Sequence, residues 1–375
     1  MSNVASSNDH RFYLPTALAA HREKQFAVAI AAVALVVFIA IVPFARVPLA
    51  RMPAFIPSYE AALFFVDLIT AIFLFDQFVR LRFSGILVLA SGYLFDALII
   101  VPHALSFPGA FSTTGLLGAK EQTTAWLYVF WHGGFPLFVI IYALLRHSGA
   151  AGMPPYSLAR VTSTIVAAII GVATLAFALT LLATWGHDFL PVVMQGSDYS
   201  LLVKKGISPA VWALTLLAMV ALWNREWRAL DLWLILVMWI WLFDIALSAV
   251  IGSARFDLGF YAGRLFGLVA ASFLLVTLVV EMAQMHARAL GAAAIAERRV
   301  AELGRMPRRL PDKDVQPLRG ETTESFIHRQ NLARYRSLLE SETLDEAQRL
   351  SIERLLSEEE KKDNPEHRTI DRGNS

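Results

Sequence analysis

The chain has 375 residues, 56% of them hydrophobic and only 17% charged, and its 33 basic and 31 acidic side chains leave a net charge of +2. So even a balance in so apolar a chain offers no basic surface for nucleic acid. The absence of cysteine excludes disulfides, thiolate metal sites and covalent c-type haem attachment.

A short N-terminal segment, residues 1–25, precedes eight apolar stretches at 26–45, 59–79, 85–105, 123–145, 161–185, 209–223, 231–252 and 262–281. Most reach the roughly 20 residues that a hydrocarbon core of about 30 Å demands; the sixth falls short. With a mean hydropathy of +0.53, the pattern predicts an all-α polytopic bundle of about eight transmembrane helices at 26–283, followed by a small helical tail. The first stretch is too long for a secretory signal and lacks a clear cleavage site, so it reads as a retained helix.

Lysine and arginine bias sets the expected orientation. With the N-terminus inside, the inner flanks hold twelve such residues, among them Arg22, Arg80, Arg146, Arg228 and Arg288, against seven outside, among them Arg46, Lys120, Lys204 and Arg255. Both termini are then cytoplasmic, in a bacterial inner membrane, and the number of spans is even, which supports the short sixth. The long connections, 46–58, 106–122 and 186–208, fall on the outer side.

Ionisable groups inside spans are costly and normally face the interior with a partner. Asp67 lies in the second span, Asp96 and His103 in the third, His132 in the fourth and Asp244 in the seventh. At about 1.5 Å per residue, Asp67, Asp96, His132 and Asp244 sit roughly 12 to 14 Å below the outer helix ends. They suggest one internal polar layer, with His103, Arg255, Asp257, Tyr261 and Arg264 above it as a mouth. Interhelical bonding that merely fixes the bundle is the plainer alternative. Asp76, four residues before Arg80, is accounted for by an intrahelical ion pair. In the fourth span, Gly133-Gly134 followed by Pro136 predicts a bend or local unwinding beside Trp126, Trp131 and His132, which makes this segment the leading ligand-contacting candidate.

These blocks resemble MASE4, a bacterial membrane-associated sensor domain. The resemblance runs through Pro57-Ser58-Tyr59-Glu60-Ala61, Asp67-Leu68-Ile69-Thr70, Leu89-Ala90-Ser91-Gly92-Tyr93-Leu94-Phe95, Pro102-His103, Thr124-Ala125-Trp126, Phe130-Trp131-His132-Gly133-Gly134-Phe135-Pro136, Trp241-Leu242-Phe243-Asp244 and Arg255-Phe256-Asp257. It covers about residues 25–285 and implies a sensory input module that feeds a histidine kinase or diguanylate cyclase. Residues 284–375 carry neither a phosphoacceptor helix with an ATP lid nor a Gly-Gly-Asp/Glu-Glu-Phe loop. The expectation is a sensor module without an attached effector, and no enzyme.

The tail reads as an exit helix over 284–304, a proline-spaced linker over 305–320, an amphipathic helical hairpin over 321–362 and a disordered end over 363–375. The functional expectation is a small, unidentified ligand bound in the outer half of the bundle, a signal passed along the last helix, and a cytoplasmic protein partner or a second copy as receiver. A carrier using Asp67, Asp96 and Asp244 is one alternative. A haem or metal protein using His103 and His132 is another, although their helical positions differ by roughly 10 Å along the membrane normal. No other cofactor or metal set is indicated.

Overall fold

The computed structural model describes residues 18–146, 158–223, 227–252, 254–305, 322–340 and 346–363. Most of the N-terminal segment, the proline-spaced linker, the hairpin joint and all but the start of the polar end lie outside these residues. The helices are α1 His21–Ile41, α2 Phe55–Leu81, α3 Ser84–Ser106, α4 Thr123–Leu145, α5 Leu158–Thr184, α6 Ser200–Lys204, α7 Ile207–Leu222, α8 Ala229–Ile245, α9 Leu258–Arg305, α10 Thr323–Leu339 and α11 Glu346–Glu360. Among the described residues there is no strand, only isolated bridges. The chain is an all-α polytopic bundle.

Among the described residues seven helices are long and apolar enough to cross a membrane, α8 together with the π-helical turn Ala246–Ile251 that extends it. The most apolar stretches of α8 and α3 are 78% and 72% buried, against 6% for α1 and 11% for α5. Helices α8 and α3 therefore form the centre, while α1 and α5 present apolar faces outward, as lipid contact requires. α2, α3 and α4 pack extensively side by side. The turn from α2 to α3 is two residues long because Arg82 takes a left-handed conformation, φ 55°.

α7 has 16 residues, about 24 Å of helix and less than a full span. Its far end is capped: Arg146 Nη1 donates to the carbonyl of Leu222 at 2.8 Å and pairs with Asp231 at 3.2 Å, while Tyr142 donates to Asp231 at 2.7 Å. Arg146 thus neutralises a carboxylate and satisfies a last-turn carbonyl at one stroke. At the other end, the long connection 186–206 folds inward. Its Val193, Met194, Tyr199 and Leu202 are buried, and α6 packs on the π-helical turn.

Glycines set the closest helix contacts, as expected where apolar side chains gain nothing over lipid. A Cβ on Gly263 would lie 2.9 Å from the carbonyl oxygen of Asp244 and 2.8 Å from Ser248 Cβ, and one on Gly267 would lie 2.8 Å from Asp244 Oδ2. These two bring α9 against α8. Gly133 and Gly134 do not unwind α4, which is helical from Thr123 through Pro136 to Leu145. Gly134 instead receives the ring edge of the buried Phe95.

The contacts divide the chain into two units, one ending at Ala289 and the other starting at Leu290. α9 is a single helix through this boundary. In the second unit α10 and α11 pack together, with Arg336 to Glu360 at 2.9 Å and Lys362 and His328 converging on Glu359 at 2.9 and 3.0 Å.

Candidate functional site

The end of the bundle that carries the long connections encloses a pocket with about 40 Å³ open to water-sized molecules. Its wall is drawn from every nearby element: His103 and Phe107 close α3, Thr124 and Tyr128 open α4, Tyr199 and Leu202 come from α6 and its approach, Ser248 from the π-helical turn, and Arg255, Phe260 and Arg264 from the entry to α9. π-Helical turns occur often at functional sites because the widened ring re-aims side chains. Here the turn puts Ser248 2.8 Å from the hydroxyl of Tyr128 and lets it donate to Asp244 at 2.7 Å.

Tyr128, Ser248, Asp244 and His132 form one buried chain. His132 Nδ1 lies 3.0 Å from the carbonyl of Tyr128, and Nε2 lies 3.2 Å from Asp244 Oδ2. A carbonyl can only accept, so Nδ1 carries a proton. Nε2 meets the Asp244 carboxyl, so the acid and the imidazole are partners in an apolar interior. His103 also has an acid partner, with Nδ1 2.8 Å from Glu60 Oε1 and both side chains buried.

The cations of the pocket are differently placed. Arg264 is buried, stacks over Phe260 at 3.6 Å and donates to the Phe260 carbonyl at 3.0 Å. Arg255 bonds the hydroxyl of Thr124, reaches the sulfur of Met194 at 3.4 Å and lies 5.0 Å over the ring of Phe107. Burial and the positive charge of Arg264 push Arg255 down to about 10, which leaves it protonated at neutral pH. Burial first, then the charge of Asp257, raises Tyr199, so its hydroxyl stays a donor.

Of the residues singled out in the sequence, His103, Arg255 and Arg264 line the pocket. His132 and Asp244 lie one hydrogen bond behind it. Asp67 and Asp96 form a separate buried cluster with Tyr93, within electrostatic reach of one another, so the polar layer divides into two pairs. Asp257 caps α9, accepting from the Phe260 N–H at 2.7 Å. Tyr261 holds the 46–54 connection by donating to the carbonyl of Ala50 at 2.8 Å and accepting from the Met52 N–H at 3.2 Å. Trp126 donates to the Pro191 carbonyl at 3.0 Å and so anchors the 186–206 connection rather than facing the cavity. The ring of Trp131 packs against both histidines, 5.9 Å from His103 and 4.5 Å from His132. Among the described residues no three His, Cys, Asp or Glu side chains converge as a metal site. Asp76 and Arg80 form the intrahelical pair their spacing predicts, at 2.9 Å.

Residues 50–286 match the MASE4 model, described as a membrane-associated sensor, integral membrane domain. The chain belongs to the MASE4 family. No curated protein and no solved structure matches it. The MASE4 segment takes in α2 to α8 and the first part of α9, and with them the whole pocket, while the peripheral α1 and the α10–α11 hairpin fall outside it. The family is a sensory one rather than a catalytic one, and the protein is a multi-pass membrane sensor.

Several wall residues escape sequence reading. So does Glu60, which stands behind the wall as the partner of His103: it lies one position past a predicted span start, where an acid reads as interfacial, yet α2 begins four residues before Tyr59 and buries it. Tyr128, Thr124 and Ser248 are unremarkable as types in apolar helices. Tyr199 belongs to a connection whose inward fold has no periodic signal.

Proposed function

We propose that this MASE4 protein binds a small ligand in the pocket and passes a conformational signal through α9 to a cytoplasmic partner or a second copy of the chain. The observation that carries this reading is the double role of α9. Its first turns supply Phe260 and Arg264 to the pocket wall, and the same unbroken helix runs on to Arg305. A ligand that favours one placement of Arg264 biases the whole helix, and a rigid helix transmits displacement along its axis. The contact of Gly263 and Gly267 with Asp244 is the bearing on which α9 would shift, since nothing bulkier intervenes. The positive-inside bias puts both termini in the cytoplasm of a bacterial inner membrane and the pocket on the far side.

The carrier reading has less support, because Asp67 and Asp96 lie apart from the pocket and no described group links them to it. The test of the sensor reading needs no ligand. With a spin label at Ala289→Cys in a chain that has no native cysteine, Tyr128→Phe and Arg264→Gln are expected to change the line shape relative to the same label with an intact pocket. Superimposable spectra from folded variants would refute the coupling.

A further inference from the structure

We infer that the pocket is an anion site whose ligand is a small carboxylate of about four heavy atoms, held by the guanidinium groups of Arg255 and Arg264. This inference rests on the sensory reading and specifies the class of ligand. The wall contains two guanidinium groups and an imidazole but no carboxyl group. The hydrogen-bond partners of the arginines among the described residues are a hydroxyl, a thioether and a backbone carbonyl, so no carboxyl group bonds either guanidinium. Two like charges confined in a low-dielectric site repel each other, and an anion between them relieves that repulsion. The acids around the pocket hold other partners: Asp244 bonds His132 and Ser248, Asp257 the N–H groups of Phe260 and Ala254, Glu60 His103, and Glu121, whose charge acts on Arg255 from outside the wall, the N–H of Gly196.

A further donor waits in the wall. The hydroxyl of Tyr199 is buried and has no hydrogen-bond partner among the described residues, a state normally explained by an absent group that completes it. The rest of the wall includes the apolar Phe107, Leu202 and Phe260, with Arg255 lying over the first ring and Arg264 over the last, surroundings that suit an anion with a methyl group. Volume sets the size. Space of about 40 Å³, at roughly 10–15 Å³ for each water-sized occupant, holds about three to four such units. Guanidinium binds a carboxylate with paired N–H donors, so charge, shape and size agree.

The experiment is thermal unfolding of the full chain in detergent, followed by tryptophan fluorescence, with sodium acetate titrated at constant ionic strength against sodium chloride. Acetate is expected to raise the midpoint saturably, while chloride and the neutral isostere acetamide do not. Arg255→Gln, at a half-buried position that folding tolerates, is expected to weaken acetate at least about tenfold, as for one lost charge-assisted hydrogen bond. Lys120→Gln, an exposed cation elsewhere on the same end, leaves it unchanged. Equal stabilisation by acetamide, equal stabilisation by chloride, an undiminished acetate response in Arg255→Gln, or no acetate response at all would each overturn the inference. If acetate fails while the pocket substitutions still alter the Ala289→Cys label, the carboxylate falls and the sensor reading stands. If the label is also unmoved, both fall.

Discussion

At the scale of single residues, this protein uses glycine for proximity and buried polar groups in matched pairs. Gly263 shows the first most directly. A methyl group there meets the carbonyl oxygen of Asp244 and Ser248 Cβ inside normal contact distance, and the first of these is backbone that cannot rotate away. Gly263→Ala is expected to lower stability by about 1–3 kcal/mol through overpacking. Gly171→Ala, where a Cβ meets nothing within 4 Å, is expected to be neutral or slightly stabilising because alanine is the better helix former. Thermal unfolding of both variants in one detergent decides it; equal midpoints would mean that α9 is not held closely on α8. The pairing of His132 with Asp244 and of His103 with Glu60 follows the rule that charge in an apolar interior is matched. Which acid takes which histidine was not readable from spacing, because Glu60 and His103 lie 43 positions apart and His132 and Asp244 lie 112 apart.

At the scale of elements, the connection 186–206 is irregular apart from a 3-10 turn and α6, and it supplies Met194, Tyr199 and Leu202 to the pocket wall. Gln122 holds it with three bonds, its Nε2 donating to the Met194 carbonyl at 2.9 Å and its Oε1 accepting from the Val193 and Met194 N–H groups at 2.7 Å each. Such a side chain stands in for a neighbouring backbone strand and satisfies buried groups that no helix supplies. Gln122→Ala is expected to speed amide exchange through 190–204 by about tenfold or more while leaving α3 and α8 protected, since one lost buried bond is worth about 1–3 kcal/mol. Exchange unchanged in that segment would show that the connection is held by its apolar residues alone. The 16 residues of α7 end against Arg146 at one side and follow the inward-folded connection at the other.

At the scale of the whole molecule, orientation is a single binary choice made by many weak charges, and it is testable because the chain has no cysteine. Thr113→Cys lies exposed in the 106–122 connection and Ala289→Cys lies exposed on α9 past the apolar core. A membrane-impermeant maleimide is expected to label the first in intact cells and the second only after permeabilisation. The reverse pattern would put the pocket in the cytoplasm and remove the argument for a ligand arriving from outside.

The sequence by itself determined the all-α membrane class and the family resemblance, because a hydrocarbon solvent imposes length and polarity limits on each segment separately. It also singled out His103, Arg255 and Arg264, since ionisable residues in apolar surroundings are rare enough to notice one at a time. Only the tertiary structure decided which of these face the cavity and which brace it. Trp126 and Tyr261 turn out to hold connections, Asp257 caps a helix, and Trp131 packs against both histidines. The wall is completed by Tyr128, Tyr199 and Ser248, ordinary residues whose roles come from a π-helical turn and an inward-folded connection. Burial and partner choice are sums over helices far apart in the chain, and local composition carries no record of them.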